Sequence, residues 1–85
     1  MRFRRTGEGT MTVDLHGMYL ADAQELLLNW LDHAAPEITE LRVIHGSNQG
    51  TVLKELVRSG LKHHRIAAVL PTLNPGETRV LLKRR

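Results

Sequence analysis

The sequence predicts a two-layer α/β sandwich, and three observations predict it. Short runs of alternating polarity are interleaved with longer runs whose apolar residues recur with helical spacing, in the order β-α-β-α-β-β. Both early strands end in His-Gly and lead into a helix, at "DLHG" (14–17) and "VIHG" (43–46). The last two strands are separated by the turn sequence "NPGE". Strand–helix alternation favours parallel neighbours joined by right-handed crossovers, and a closing tight turn makes the last pair antiparallel. The expected fold is a mixed four-stranded sheet with two helices.

Each element has its own justification. Residues 1–10, "MRFRRTGEGT", read as a flexible basic tail, leaving 11–85 as a single domain with a basic C-terminal end. "MTVDLHG" alternates, with Met11, Val13 and Leu15 on one side and Thr12, Asp14 and His16 on the other. The following run places Ala23, Leu27, Trp30, Leu31 and Ala34 on one helical stripe, and Pro36 stops the helix near Ala34 or Ala35. The second strand is Leu41 to His45. "TVLKELVRSGLKHHR" reads as the second helix, with Leu53, Leu56, Val57 and Leu61 towards the core and Lys54, Arg58 and Lys62 on another face. Gly60 interrupts its helix formers. "IAAVLPTL" is an edge strand or strand end because of Pro71, and "TRVLLKR" closes the sheet.

Composition bounds the function. The 85 residues are 41% hydrophobic and only 4% aromatic, so the core is built from aliphatic side chains. With no cysteine there is neither a disulfide nor a thiolate metal site. No apolar run approaches the roughly 20 residues that cross a bilayer. The N-terminus has no apolar segment of the secretory kind, so the expected location is cytoplasmic and no membrane partner is expected. The formal net charge is +3, but six of the twelve basic residues are Arg2, Arg4, Arg5, Lys83, Arg84 and Arg85 at the two ends. Basic ends on a mildly acidic body can hold phosphates without reading sequence, or can simply be solvated.

If the two His-Gly strands are parallel neighbours, Asp14, His16 and His45 converge at the carboxyl edge of the sheet, where ligands of α/β folds bind. Gly46 and Gly50 would let the loop "HGSNQG" approach a phosphate, the start of the second helix would favour an anion, and Lys54 would add a formal positive charge. That layout suits phosphodiester chemistry: a neutral imidazole takes a proton, an imidazolium gives one, and a carboxylate orients the ring. The same residues also have structural readings as strand-end hydrogen-bonders. An Asp/His/His cluster could hold a divalent ion, magnesium or manganese, although three ligands on two strand ends form no specific zinc pattern. His33, His63 and His64 read as helix-end or solvent residues, Trp30 as core, and Tyr19 as either lining the site or packing.

At "DLHG" and "VIHGSNQGTVLKELV" the chain resembles the small MutS-related, or Smr, domain family, from about Met11 to Leu82, and "LNPGETRVLL" resembles the closing turn and strand of its stand-alone bacterial members. The resemblance implies the same two-layer fold. It also implies nucleic-acid binding, with DNA or RNA as partner, and in several branches an endonuclease. Asp14 and His16 match the family's cleavage residues, and His45, Gly46 and Gly50 match its phosphate-supporting turn. Val13 replaces the family's leucine, Ser47 its usual basic residue, and Asn48, which tolerates left-handed geometry, falls where a further glycine is usual. The expected site is therefore Asp14, His16 and His45 for chemistry, with Gly17, Gly46, Ser47, Asn48, Gly50, Lys54 and Arg58 holding phosphate. The alternatives are a non-catalytic nucleic-acid or ribosome-binding module, and a protein-interaction domain. A small-molecule substrate is not expected.

Overall fold

The structure, a computed structural model, describes residues 2–46 and 51–84. Within them the chain forms β1 (Phe3–Gly7), β2 (Thr10–Asp14), α1 (Leu20–His33), β3 (Glu40–Ile44), α2 (Thr51–Glu55) continued by a π-helical turn (Leu56–Gly60), β4 (Ile66–Pro71) and β5 (Glu77–Leu82). The strands make one sheet in the order β1-β2-β3-β5-β4. Only β2 and β3 are parallel; the other three pairings are antiparallel. The α/β class, the two helices and the mixed sheet are as expected, but among the described residues the sheet has five strands, not four.

The extra strand lies in the segment expected to be a flexible tail. Phe3 pairs with Val13, so it shares that residue's core-facing side, and its ring stacks on Trp30 of α1 at a centroid distance of 5.3 Å and an interplanar angle of 8°. The Thr6 and Thr12 hydroxyls meet across the pair at 2.8 Å. Gly9, at φ 74°, turns the chain between β1 and β2, and an added Cβ there would stand 3.2 Å from the Glu37 carbonyl oxygen. Arginine-rich composition suggested a solvated tail. One aromatic anchor and a glycine turn suffice to make the segment an edge strand.

The core lies between the sheet and the two helices. Val13, Leu15, Ala23, Leu27, Leu31, Leu41, Val43 and Val80 are fully buried, and Leu53, Leu56, Val57 and Leu61 join them from the second helical segment. That segment is shorter than the expected run through Arg65. It ends at Gly60, and Leu61 is already extended at φ −86°, ψ 121°. His63 and His64 therefore lie in a loop, with their rings stacked at 4.3 Å, rather than at a helix end. His63 Nε2 lies 2.7 Å from Asp32 Oδ1 at the end of α1, and His63 Nδ1 accepts the Arg65 backbone N–H.

Arg65 itself is 2% exposed, and its guanidinium donates only to carbonyls: Nε to Lys83, Nη1 to Ala34 and Nη2 to Ile38, at 3.0–3.2 Å. Ala34 is the C-cap of α1, where unpaired carbonyls carry the negative end of the helix dipole. A buried cation thus fastens the end of α1 to the entry of β3 and the exit of β5.

Candidate active site

The site begins where β2 and β3 end side by side. Asp14 lies opposite Ile44, and the Leu15 N–H donates to the Ile44 carbonyl at 2.7 Å. Beyond each strand comes a His-Gly pair, and both glycines take left-handed backbone, Gly17 at φ 81° and Gly46 at φ 84°. A Cβ on Gly46 would lie 3.6 Å from the Cβ of His16, so the second turn runs alongside the first.

The two histidines nevertheless diverge. Side chains alternate along a strand. Val13 and Leu15 point into the core, which sends Asp14 and His16 outward. Leu41 and Val43 point into the core too, and His45 has their parity, so it follows them in. The His16 side chain is 70% exposed, whereas His45 as a residue is 2% exposed.

Asp14 and His16 form a dyad. His16 Nδ1 lies 2.6 Å from Asp14 Oδ1, and the His16 backbone N–H donates to the same oxygen at 3.0 Å. An ionised carboxylate only accepts, so Nδ1 carries the proton and the neutral ring keeps its lone pair on Nε2. Burial pushes the Asp14 carboxyl up, but the side-chain and backbone hydrogen bonds from His16, with the charges of His16 and Arg2, outweigh it and hold the carboxyl below its ordinary value. Arg2 is tied to this residue through the backbone: its Nη1 donates to the Asp14 carbonyl at 2.9 Å, and the Asp14 N–H donates to the Arg2 carbonyl at 3.2 Å.

His45 sits in a relay whose direction is fixed by its ends. Arg58 Nε can only donate, and it donates to Thr78 Oγ1 at 3.1 Å. The hydroxyl proton of Thr78 then points at His45 Nε2, 2.9 Å away, and His45 Nδ1–H donates to the Gly46 carbonyl at 3.0 Å. The ring is neutral in this arrangement. Burial is the main force lowering its pKa; the Gly46 carbonyl and Glu77 oppose that, and the charges of Arg58 and Lys54 add to it. The expectation that His45 converges with Asp14 and His16 as a second acid or base is thus not met by the geometry: its nitrogens are engaged inside the fold.

The remaining expected residues divide as follows. Arg58 reaches inward to Thr78 rather than outward, and Lys54 is half-buried at the start of the second helical segment. The α-helical part of that segment is only five residues, too short for the dipole-driven anion site expected at its start. Ser47, Asn48 and Gly50 lie outside the described residues. No group of three His, Asp or Glu side chains that could hold a metal occurs among the described residues.

Gly76 was not anticipated. Its carbonyl accepts the His45 and Gly46 N–H groups at 2.9 and 3.0 Å, and a Cβ on it would meet the Gly46 carbonyl carbon at 3.3 Å. The "NPGE" turn therefore supports the second His-Gly turn from beneath. The only sequence signal for this was the turn itself.

The Smr domain family matches residues 13–79. The chain belongs to this family. The match takes in both His-Gly turns, both helices and the Arg58–Thr78–His45 relay, and leaves β1 outside. Among solved structures, the Smr domain of MutS2 from Thermus thermophilus is similar at 26% identity and a TM-score of 0.67, over 85% of this chain and 96% of that one. No curated protein matches the chain significantly. Among the described residues, no helix is long and apolar enough to cross a membrane.

Proposed function

We propose that this Smr domain binds nucleic acid at the edge formed by its two His-Gly turns and cuts a phosphodiester bond of RNA or DNA there. The observation that carries this reading is the exposed Asp14–His16 pair at 2.6 Å, set beside the backbone of Gly46. With Nδ1–H held by Asp14, His16 presents Nε2 as a base towards solvent. It takes the proton of the attacking hydroxyl or water as the new P–O bond forms, the Asp14 carboxylate stabilises the imidazolium that results, and the imidazolium or a solvent water protonates the leaving oxygen as its P–O bond breaks. Glycine backbones on both sides let a phosphate come close without meeting a side chain.

Charge supports the same edge. On the outer face of the sheet, Glu40 pairs with Arg79 at 2.9 Å, and Arg42 pairs with Glu77 at 2.9 Å and Glu40 at 3.1 Å, so those charges largely cancel. Arg2 donates to the Asp14 carbonyl, and Lys54 is near enough for its charge to act on His45, so two cations stand close to the edge where a phosphate would be held. A magnesium or manganese ion would have one carboxylate here, that of Asp14, beside substrate phosphate; such ions are often held by one or two carboxylates and the substrate.

A second reading is favoured by the burial of His45. Without a second accessible acid–base group, the edge would bind nucleic acid, or a ribosome through its RNA, without cutting it. The deciding experiment incubates the protein with end-labelled single-stranded RNA, hairpin RNA and supercoiled plasmid, with magnesium, manganese or a chelator, beside Asp14→Asn and His16→Ala. Cutting that falls by about 10²–10⁴-fold in His16→Ala supports the enzyme reading. Retained binding without cutting by any of the three proteins supports the binding module. A cytoplasmic location would accord with either.

A further inference from the structure

Tyr19 is the most exposed aromatic side chain among the described residues, and no side-chain hydrogen bond holds it. It is the N-cap of α1, a position that favours Ser, Thr, Asp or Asn because their side chains bond the first free N–H groups, yet no side chain caps this helix. It does not pack either, being 81% exposed. The other two aromatic side chains, Phe3 and Trp30, stack on each other against the core. Its placement is fixed all the same. The Met18 N–H donates to the Leu15 carbonyl at 3.0 Å, closing a turn over Gly17, and the Ala23 N–H donates to the Tyr19 carbonyl at 2.9 Å. Leu15 is in the core and Met18 packs against it, while His16 within this turn and Tyr19 just after it are exposed.

The next residue, Leu20, is also open to solvent at 45% exposure, and it borders a hollow of about 380 Å³ between the two helices that is lined by Gln24, Val52, Glu55, Leu56 and Ser59 as well. Three residues of chain span at most about 11 Å, so the Tyr19 backbone stands no further than that from the His16 backbone.

We infer that the exposed Tyr19, followed by the half-exposed Leu20, is a stacking platform for the base next to the phosphate held at His16, and that the substrate of this edge is unpaired nucleic acid. The inference rests on the nucleic-acid reading above and narrows its substrate class. A π-face is recognised by an aromatic side chain whatever the base, but only when the base is not already sandwiched in a duplex. An exposed tyrosine offers such a face, and its place three residues after the dyad histidine, just past the turn that Leu15 and Met18 close, favours a nucleotide over a separate partner.

The test measures equilibrium binding of one sequence as a labelled single strand and as a duplex, in RNA and in DNA, to wild type, Tyr19→Phe and Tyr19→Ser. Tyr19→Ser restores a preferred N-cap, so its melting temperature should equal or exceed the wild type's, which removes misfolding as an explanation. We expect Tyr19→Ser to lose about five- to a hundredfold in single-strand affinity, Tyr19→Phe to bind like wild type, and the duplex to distinguish none of the three. A 2-aminopurine placed in the single strand should be quenched by wild type and not by Tyr19→Ser. Unchanged single-strand binding by Tyr19→Ser, or an equal loss on duplex, overturns the platform while leaving the nucleic-acid reading standing. Failure of the wild type to bind any of the four probes overturns both.

Discussion

The two His-Gly turns of this domain are alike in sequence and opposite in role. Both follow a strand of the parallel pair, and both hold a left-handed glycine within a few degrees of the other, at φ 81° and 84°. One histidine stands in solvent against a carboxylate; the other is sealed between a threonine hydroxyl and a backbone carbonyl. The difference comes from one residue of strand parity. A repeated motif can thus present one histidine to solvent and bury the other, the exposed one being the group that the proposed reaction would use.

The comparison is broken most directly at His16. His16→Ala should reduce cleavage by about 10²–10⁴-fold while leaving denaturant stability within about 0.5 kcal/mol, the usual range for an exposed side chain. His45→Ala should do the reverse. It leaves a cavity and strands the buried Thr78 hydroxyl, so urea unfolding should show a loss of about 2–4 kcal/mol, and cleavage should fall only as far as the folded fraction does. If His45→Ala abolished cutting while the protein remained folded, the division of labour would be wrong.

Thr78→Val keeps the volume and removes the hydroxyl that joins Arg58 to His45. We expect a cost of about 1–3 kcal/mol in thermal or urea unfolding, since both partners then lack a mate in the interior.

Acid separates the two turns in a different way. His45 has its folded pKa lowered from 6.5, so its stabilising contribution is complete above pH 6.5 and is lost as pH falls below that towards the folded value. Asp14 is lowered from 3.8, so its contribution persists to more acid conditions and is lost only as pH falls through the folded value below 3.8. Unfolding free energy followed from pH 7.5 down to pH 5 should therefore slope in the wild type and flatten in His45→Gln, whose amide can accept from Thr78 and donate to Gly46. Asp14→Asn should leave that slope in place. The smallest effect is at the glycines: Gly17→Ala, with open space around its Cβ, should cost about 1 kcal/mol from left-handed backbone alone.

Most of the fold was legible because its signals were local. Alternation at 11–16, the stripe from Ala23 to Ala34 and the "NPGE" turn each report a few neighbouring residues, and each element formed close to where it was expected. β1 was missed because its evidence is long-range: Phe3 becomes a strand residue only by meeting Trp30 and Val13. The second helix ends earlier than its apolar residues suggest, because Leu61 is core like the others but is reached by extended chain.

For the site, the Asp14–His16 pair could be read from spacing. The fate of His45 could have been read too, since Leu41, Val43 and His45 fall on one side of the strand just as Val13 and Leu15 do on theirs. Counting parity on the second strand, as on the first, would have placed it inside. Nothing in the sequence points to Thr78, which comes from the neighbouring antiparallel strand β5, and for Gly76 the only signal is the turn that precedes that strand.

The stack between Phe3 and Trp30 has an optical consequence. Trp30 is the single tryptophan of the chain, so the intrinsic emission above the tyrosine band comes from one ring whose neighbour belongs to the N-terminal edge strand. That emission is a gauge of whether the strand is seated. Because Arg2, one residue before the strand, is hydrogen-bonded to the backbone of Asp14, the same signal carries news of the ground beneath the dyad without a probe being placed there.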